Sequence, residues 1–229
     1  STLFPYTTLF RSPYREETRA ARRARELDLP VEIVSAARAA DIDPGITMDI
    51  TGAVFYPLDA HLDPRLLMRT LTELVTASGV TIHWSTQLDA WRTASGRITA
   101  AATSQGEIAA DEFVVAAGVW SAQVVRSLGC KLLLQGGKGY SFTLPGPAQI
   151  PRLCSILSEA HVAVTPMGSA LRIGGTMEFA GLDRSVSERR TQAIAAAAAR
   201  YFPALRAQDI AQVPIWRSEE RRVGKECRS

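Results

Sequence analysis

The sequence predicts a chain of two textures, α/β in its first part and α+β in its second. Three observations predict it. A helix of apolar period, residues 64–78, leads into short strands separated by turns up to residue 110. A near-continuous apolar run follows in "DEFVVAAG", the pattern of a strand covered on both faces. Beyond Gly129 the apparent strands are joined by hairpin turns, as in a mostly antiparallel sheet.

The elements follow in order. "REETRAARRARELDLP" is rich in helix formers and stops at Pro30. Ser35 suits the N-cap of a second, short helix ending near Asp43-Pro44-Gly45. After a short strand near residue 54, Asp63 is placed to cap a helix whose first position is Pro64. Leu66, Leu67, Leu71, Leu74 and Val75 give that helix one apolar face, and Gly79 is its expected C-cap. Residues 80–84 are expected to form a strand, 88–91 and 97–103 a pair around Ser95-Gly96, and 107–110 a third member. Residues 112–117 are expected as the buried strand. Residues 162–165 and 171–174 flank a hairpin turn at 166–169. Ser185 and Glu188 have the spacing of a capping box for a helix that stops at Pro203. Its alanine run reflects helix propensity.

Composition bounds the function classes. The chain has 229 residues, 46% apolar and 21% charged, an ordinary globular balance. No apolar run reaches the roughly 20 residues of a membrane span, and no segment reads as a secretory signal. Cys130, Cys154 and Cys227 lie far apart without a CxxC, so neither a disulfide framework nor a zinc site is expected. A cytoplasmic location fits, with a peripheral seat on the inner membrane left open. The formal charge of +3 sits in the two ends, and residues 13–216 are neutral, which argues against nucleic acid. Those ends, "STLFPYTTLFRS" and "RSEERRVGKECRS", resemble translated sequencing-adapter read-through. Residues 1–12 and 217–229 are therefore set aside as adapter-like, and the chain is expected to be an internal segment of a longer protein.

The end of the apolar run poses the functional question. Ala116, Ala117 and Gly118 leave the backbone nearly bare. Either two backbones pack closely there or a ligand lies against the chain, since N–H groups reach a phosphate only where no Cβ blocks the approach.

Four blocks bear on that choice: "GAVFYPLDAHLDPRLL" (52–67), "DEFVVAAGVWSAQVVRSLG" (111–129), "GGKGYSFTLP" (136–145) and "HVAVTPMGSALRIGGTMEFAG" (161–181). Together, in this order, they resemble the FAD-dependent D-amino-acid oxidase superfamily, and within it the D-amino-acid dehydrogenases and glycine-oxidase-like enzymes. The resemblance implies a partial FAD-binding Rossmann-like domain at 51–130, with a β-meander insertion. It implies an antiparallel-sheet substrate domain at 131–216, including a helix at 187–201, with 13–50 as that domain's helical part. It implies FAD as cofactor, held by Leu88, Ala116, Ala117, Gly118, Trp120 and Ser121. Ser121 is also expected to hydrogen-bond locally where the next helix starts. Arg172 falls where related oxidases place a basic group near the flavin ring. The alternative for Arg172 is an outward-facing strand residue. Lys138 and Tyr140 are expected in the substrate pocket, the alternatives being an exposed Lys and a packed Tyr.

The implied reaction passes a hydride from the substrate Cα to the flavin, deaminating a small amino acid, in the first place a D-amino acid. No catalytic side chain is assigned, because the cofactor carries the hard step. The electron acceptor is oxygen or a respiratory quinone. Alternatives are a glycine- or sarcosine-type amine oxidase, or a non-catalytic interaction domain on the same scaffold. Two family features are missing. No GxGxxG occurs, and "VPIW" reaches the Trp of an expected Trp-x-Gly-Leu-Arg-Pro segment without continuing it. Arg217 is not assigned as that segment's Arg. The chain alone is expected to be inactive.

Overall fold

A computed structural model describes residues 5–12, 15–179, 181, 183, 185–211 and 215–223, with 15–17, 211 and 215–223 as backbone only. The chain divides into two units. One comprises 1–66, 139–178 and 184–218; the other comprises 67–138, 179–183 and 219–229.

The first unit is built on an eight-stranded sheet. Its members are β1 (Tyr6–Phe10), β2 (Glu32–Ser35), β3 (Gly52–Tyr56), β7 (Leu134–Pro145), β8 (Cys154–Leu157), β9 (Val162–Met167), β10 (Ala170–Glu178) and β11 (Ile215–Val223). Their order across the sheet is β11-β7-β10-β9-β8-β1-β3-β2. β1 runs parallel to β8, whereas the β1/β3, β2/β3, β8/β9 and β9/β10 pairs are antiparallel. Helix α5 (Glu188–Tyr201) packs on β9 and β10, and α6 (Ala207–Ala211) packs on α5. Strand alternation explains the core between them. Tyr140, Phe142, Val162, Val164, Leu171 and Ile173 point to the helix side and meet Ile194, Ala198, Tyr201 and Phe202. A smaller cluster of Phe10, Ala21, Val31 and Val54 lies under α1 (Arg15–Glu26).

Several caps are legible at both levels. Ser35 accepts from the Arg38 N–H at the start of α2 (Ala36–Ile42). Asp63 accepts from Arg65 N at 2.8 Å and opens α3 (Pro64–Ala77). Other expectations are corrected. Residues 32–35, expected inside the helical part at 13–50, form β2. Tyr6–Phe10, set aside with the adapter-like end, is β1 inside the sheet, with Leu9 and Phe10 buried. Five residues, Tyr-Thr-Thr-Leu-Phe, suffice for a strand when two neighbours supply ladders. Ser187, not Ser185, is the N-cap of α5, and it makes no side-chain cap bond.

The second unit carries a three-stranded antiparallel meander, β4 (Leu88–Ala94), β5 (Arg97–Thr103) and β6 (Gly106–Ala109), as the turn signals predict. Ser95 and Gly96 both have positive φ, which a two-residue hairpin of matching twist requires. The two strands expected to flank this meander do not form. Residues 80–84 and 112–117 join no ladder among the described residues, and Val80, Trp84 and Val114 are exposed. An apolar run becomes a strand only where neighbouring strands accept its hydrogen bonds. The apolar face of α3 is likewise exposed: no residue of the helix is buried.

Candidate functional site

In the second unit the chain leaves β6 outside any strand or helix and turns at Ala117. Gly118 has φ +58, a left-handed conformation, and a Cβ built there would meet nothing within 4 Å. Glycine is required here by backbone angle, and the space beside it is open. A single 3-10 turn, residues 118–120, then passes into α4 (Ser121–Val124). Trp120 is its N-cap and is partly exposed. Ser121 is 3% exposed, and its Oγ has no hydrogen-bond partner. The expected local bond of Ser121 is therefore absent, because Ser121 is the first helical residue and not the cap.

Packing fixes this turn from two sides. The Trp91 indole N–H donates to the Val124 carbonyl at 2.8 Å, and its ring meets Phe113 edge-on at 5.5 Å. A Cβ on Gly136 would lie 2.5 Å from the Gly181 carbonyl oxygen and 4.0 Å from Val119 Cγ1. Only glycine permits that approach of the start of β7 to Gly181, with Val119 of the turn beside it. Lys138, two residues on, is 4% exposed, and its Nζ lies 3.3 Å from the Asp183 carboxylate. Asp183 was not anticipated from sequence, since nothing local marks a loop Asp as the partner of a buried lysine. Leu88, half-buried, begins β4 opposite Thr103, on the meander and not in the turn. The described recesses of this unit are lined by residues such as Thr93, Ile98 and Leu128, and by Arg97, Thr99 and Glu112.

In the first unit, Tyr140 and Arg172 lie on opposite faces of the sheet. Tyr140 is 2% exposed within the core, and its hydroxyl donates to Glu178 at 2.5 Å. Arg190 also faces that carboxylate, at 3.6 Å. Arg172 is half-buried on the face away from α5 and donates to Ser141 Oγ at 3.2 Å. So β7 approaches the turn at Gly136 beside Val119, Lys138 is held by Asp183, and within the first unit Tyr140 and Arg172 face opposite ways.

The model of the family described as DAO, FAD dependent oxidoreductase, matches residues 4–218. The chain belongs to this family. A D-amino acid dehydrogenase of Xanthobacter autotrophicus is 36% identical over 169 residues, 72% of this chain and 39% of the relative. One from Vibrio vulnificus is 31% identical over 180 residues, 76% of this chain and 42% of the relative. The chain thus spans about two fifths of the length of these curated relatives. Among solved structures, glycine oxidase from Geobacillus kaustophilus matches with TM-score 0.81 and 21% identity, over 97% of this chain and 60% of that one. L-α-glycerophosphate oxidase from Mycoplasma pneumoniae, with FAD bound, matches with TM-score 0.79 and 12% identity, over 98% of this chain and 62% of that one. These structural likenesses establish the fold.

FAD is the cofactor of the FAD-dependent oxidoreductase family. Two observations fit such a group at the turn of residues 116–121: the open side of Gly118, and the buried Ser121 hydroxyl that lacks a partner. Buried hydroxyls are normally satisfied, so an orphan beside a bare backbone is what a polar ligand would complete. Among the described residues no cluster of three or more His, Cys, Asp or Glu could hold a metal ion, and no helix is long and apolar enough to cross a membrane.

Proposed function

We propose that the protein oxidatively deaminates a small amino acid, with D-amino acids preferred. The observation that carries this reading is the 36% identity to a relative named D-amino acid dehydrogenase. The geometry supports it. Bound FAD would supply acceptance of the hydride from the substrate Cα. Gly118 and the flanking Ala116 and Ala117 leave the backbone open to the cofactor, and Ser121 Oγ donates or accepts one hydrogen bond to it. Trp120 offers an apolar edge to the same group. Lys138, ion-paired with Asp183, would stand near the anionic substrate. The substrate amine becomes an imine, which water converts to the keto acid and ammonia. An electron acceptor outside the chain, oxygen or a quinone, then removes the electron pair.

A chimera tests this. Residues 13–216 replace the matching segment of the Xanthobacter autotrophicus dehydrogenase, and turnover is followed with a dye acceptor. D-alanine is expected to be oxidised well ahead of L-alanine, glycine and sarcosine. Preference for glycine or sarcosine would favour the amine-oxidase alternative. A folded chimera that binds FAD and oxidises none of them would sink the reading.

A further inference from the structure

We propose that the outer edge of β2, with the turn between α1 and β2 beside it, is a two-fold docking surface for a second copy of this chain. β2 ends the sheet, so among the described residues no strand pairs with its outer side. The helices on either side of it pack on opposite faces: Ala21 of α1 joins Val31 in the smaller cluster, and Ala39 of α2 joins Val34 in the larger core. Between them Glu32, Ile33 and Ser35 are exposed. In an antiparallel ladder alternate residues turn their N–H and C=O outward, so about half of β2 offers backbone bonds to a further strand.

The turn before β2 displays apolar side chains from a fixed frame. The Leu29 N–H donates to the Ala24 carbonyl and the Asp28 N–H to the Arg25 carbonyl, both at 3.0 Å, and Asp28 has φ 56. These two bonds around a left-handed residue make a Schellman ending to α1. Such an ending commonly folds the next apolar residue back onto the helix. Here that residue, Leu29, is 52% exposed, and Leu27 is 57% exposed. Ile33 adds a third large apolar side chain on the edge itself. Pro30 precedes the strand and so removes no ladder donor. The surrounding charges are of both signs. Arg25 Nε donates to the Val31 carbonyl at 3.1 Å, and among the described residues Arg25, Asp28, Glu32 and Arg38 form no ion pair within the chain. Two cations and two carboxylates, none paired at home, complement the same four on a copy turned about a two-fold axis. A membrane surface or a nucleic acid would call for cations alone. A two-fold axis also makes the two edges antiparallel, so β2 can pair with its copy and continue the sheet.

A four-residue ladder is short, so the contact is reversible and depends on concentration. It is independent of the deamination chemistry. The test follows the purified chain through a concentration series by light scattering and by backbone hydrogen exchange. The mass should rise from monomer toward dimer, and the amides of residues 32–35 should exchange more slowly as it does, while those of residues 66–77 stay unchanged. Leu29→Asp and Ile33→Lys should each raise the dissociation constant about tenfold or more. Glu32→Arg should also weaken the dimer, and Arg25→Glu added to the same chain should restore part of the loss by setting opposite charges across the axis again. Leu74→Gln, on the exposed face of α3, should leave the dimer unchanged. Circular dichroism checks folding, and Leu29→Asp, in the turn, decides if Ile33→Lys unfolds. A monomer at every concentration, or a dimer as tight in Leu29→Asp as in the parent, would overturn the proposal. So would a dimer lost in Leu74→Gln with residues 32–35 unprotected, which would place the contact on α3. A Glu32→Arg, Arg25→Glu variant weaker than Glu32→Arg alone would overturn the two-fold charge pairing.

Discussion

The Tyr140 hydroxyl reaches Glu178 at 2.5 Å because Thr176, two residues before Glu178, has a left-handed backbone. Strict alternation from Ile173 would send Glu178 to the face opposite Tyr140. The positive φ of 59° at Thr176 breaks the alternation and returns Glu178 to the α5 side, where Arg190 also meets it. A β-branched residue in this region is strained by about 1 to 3 kcal/mol. Thr176→Gly should therefore cost less than about 1 kcal/mol, relief of strain offsetting lost packing. A Tyr140→Phe, Glu178→Gln double-mutant cycle should give a coupling of about 1 to 2 kcal/mol in urea unfolding. Additive effects would mean the pair is not energetically linked.

Asp43 is the hub of a loop crossing. It is 3% exposed and accepts from the backbone N–H groups of Arg152, Leu153 and Gly45 at 2.9 to 3.3 Å. Asp43→Ala would leave these donors unsatisfied and should cost about 2 to 4 kcal/mol. Thermal melting against Asp43→Asn, which retains one acceptor, should show the smaller loss for Asn.

Glu159 predicts an acid-side weakness. Burial alone would raise its carboxyl pKa, but hydrogen bonds from its own backbone and from Ser12 and Arg11 outweigh burial and lower it from the ordinary 4.5. Tyr201 donates to the same carboxylate. Because the folded pKa is depressed, the stabilisation is present above the unfolded value near 4.5 and is lost as pH falls through the lower folded value. Stability of the parent protein should fall more steeply below about pH 4.5 than that of Glu159→Gln. Parallel curves would remove Glu159 from this role.

Ser121 should behave oppositely with and without cofactor. Its buried hydroxyl has no partner, so Ser121→Ala should leave the chain as stable or up to about 1 kcal/mol more stable. In the FAD-bearing chimera the same change should weaken FAD several-fold in a fluorescence titration. Unchanged FAD affinity would mean the hydroxyl does not face the cofactor.

Helices α3 and α5 look alike in sequence pattern but not in environment. Leu74 of α3 is 58% exposed, whereas Ile194 of α5 is 1% exposed. Ile194→Ala should cost about 2 to 4 kcal/mol. Leu74→Gln should change stability by less than about 0.5 kcal/mol and should reduce binding of a hydrophobic dye. Equal losses would place Leu74 in a packed interface.

The sequence by itself determined what depends on a few adjacent residues. The Ser35 and Asp63 caps, the turns at Ser95-Gly96 and Gly168-Ser169, and the glycine that must end the 112–118 run are set by local sterics and hydrogen bonding. The motif blocks carried the family in the same way. Tertiary structure alone decided what depends on distant partners. Residues 112–117 and 80–84 have strand composition but no ladder, because a strand exists only with neighbours. Tyr6–Phe10 became a strand because β3 and β8 flank it. Lys138 and Asp183 are 45 residues apart, and Tyr140 and Glu178 are 38 apart, so no spacing rule joins them. The sheet's register sent Tyr140 into the core and Arg172 to the opposite face, since each step along a strand reverses the side chain and only the fold says which side is covered.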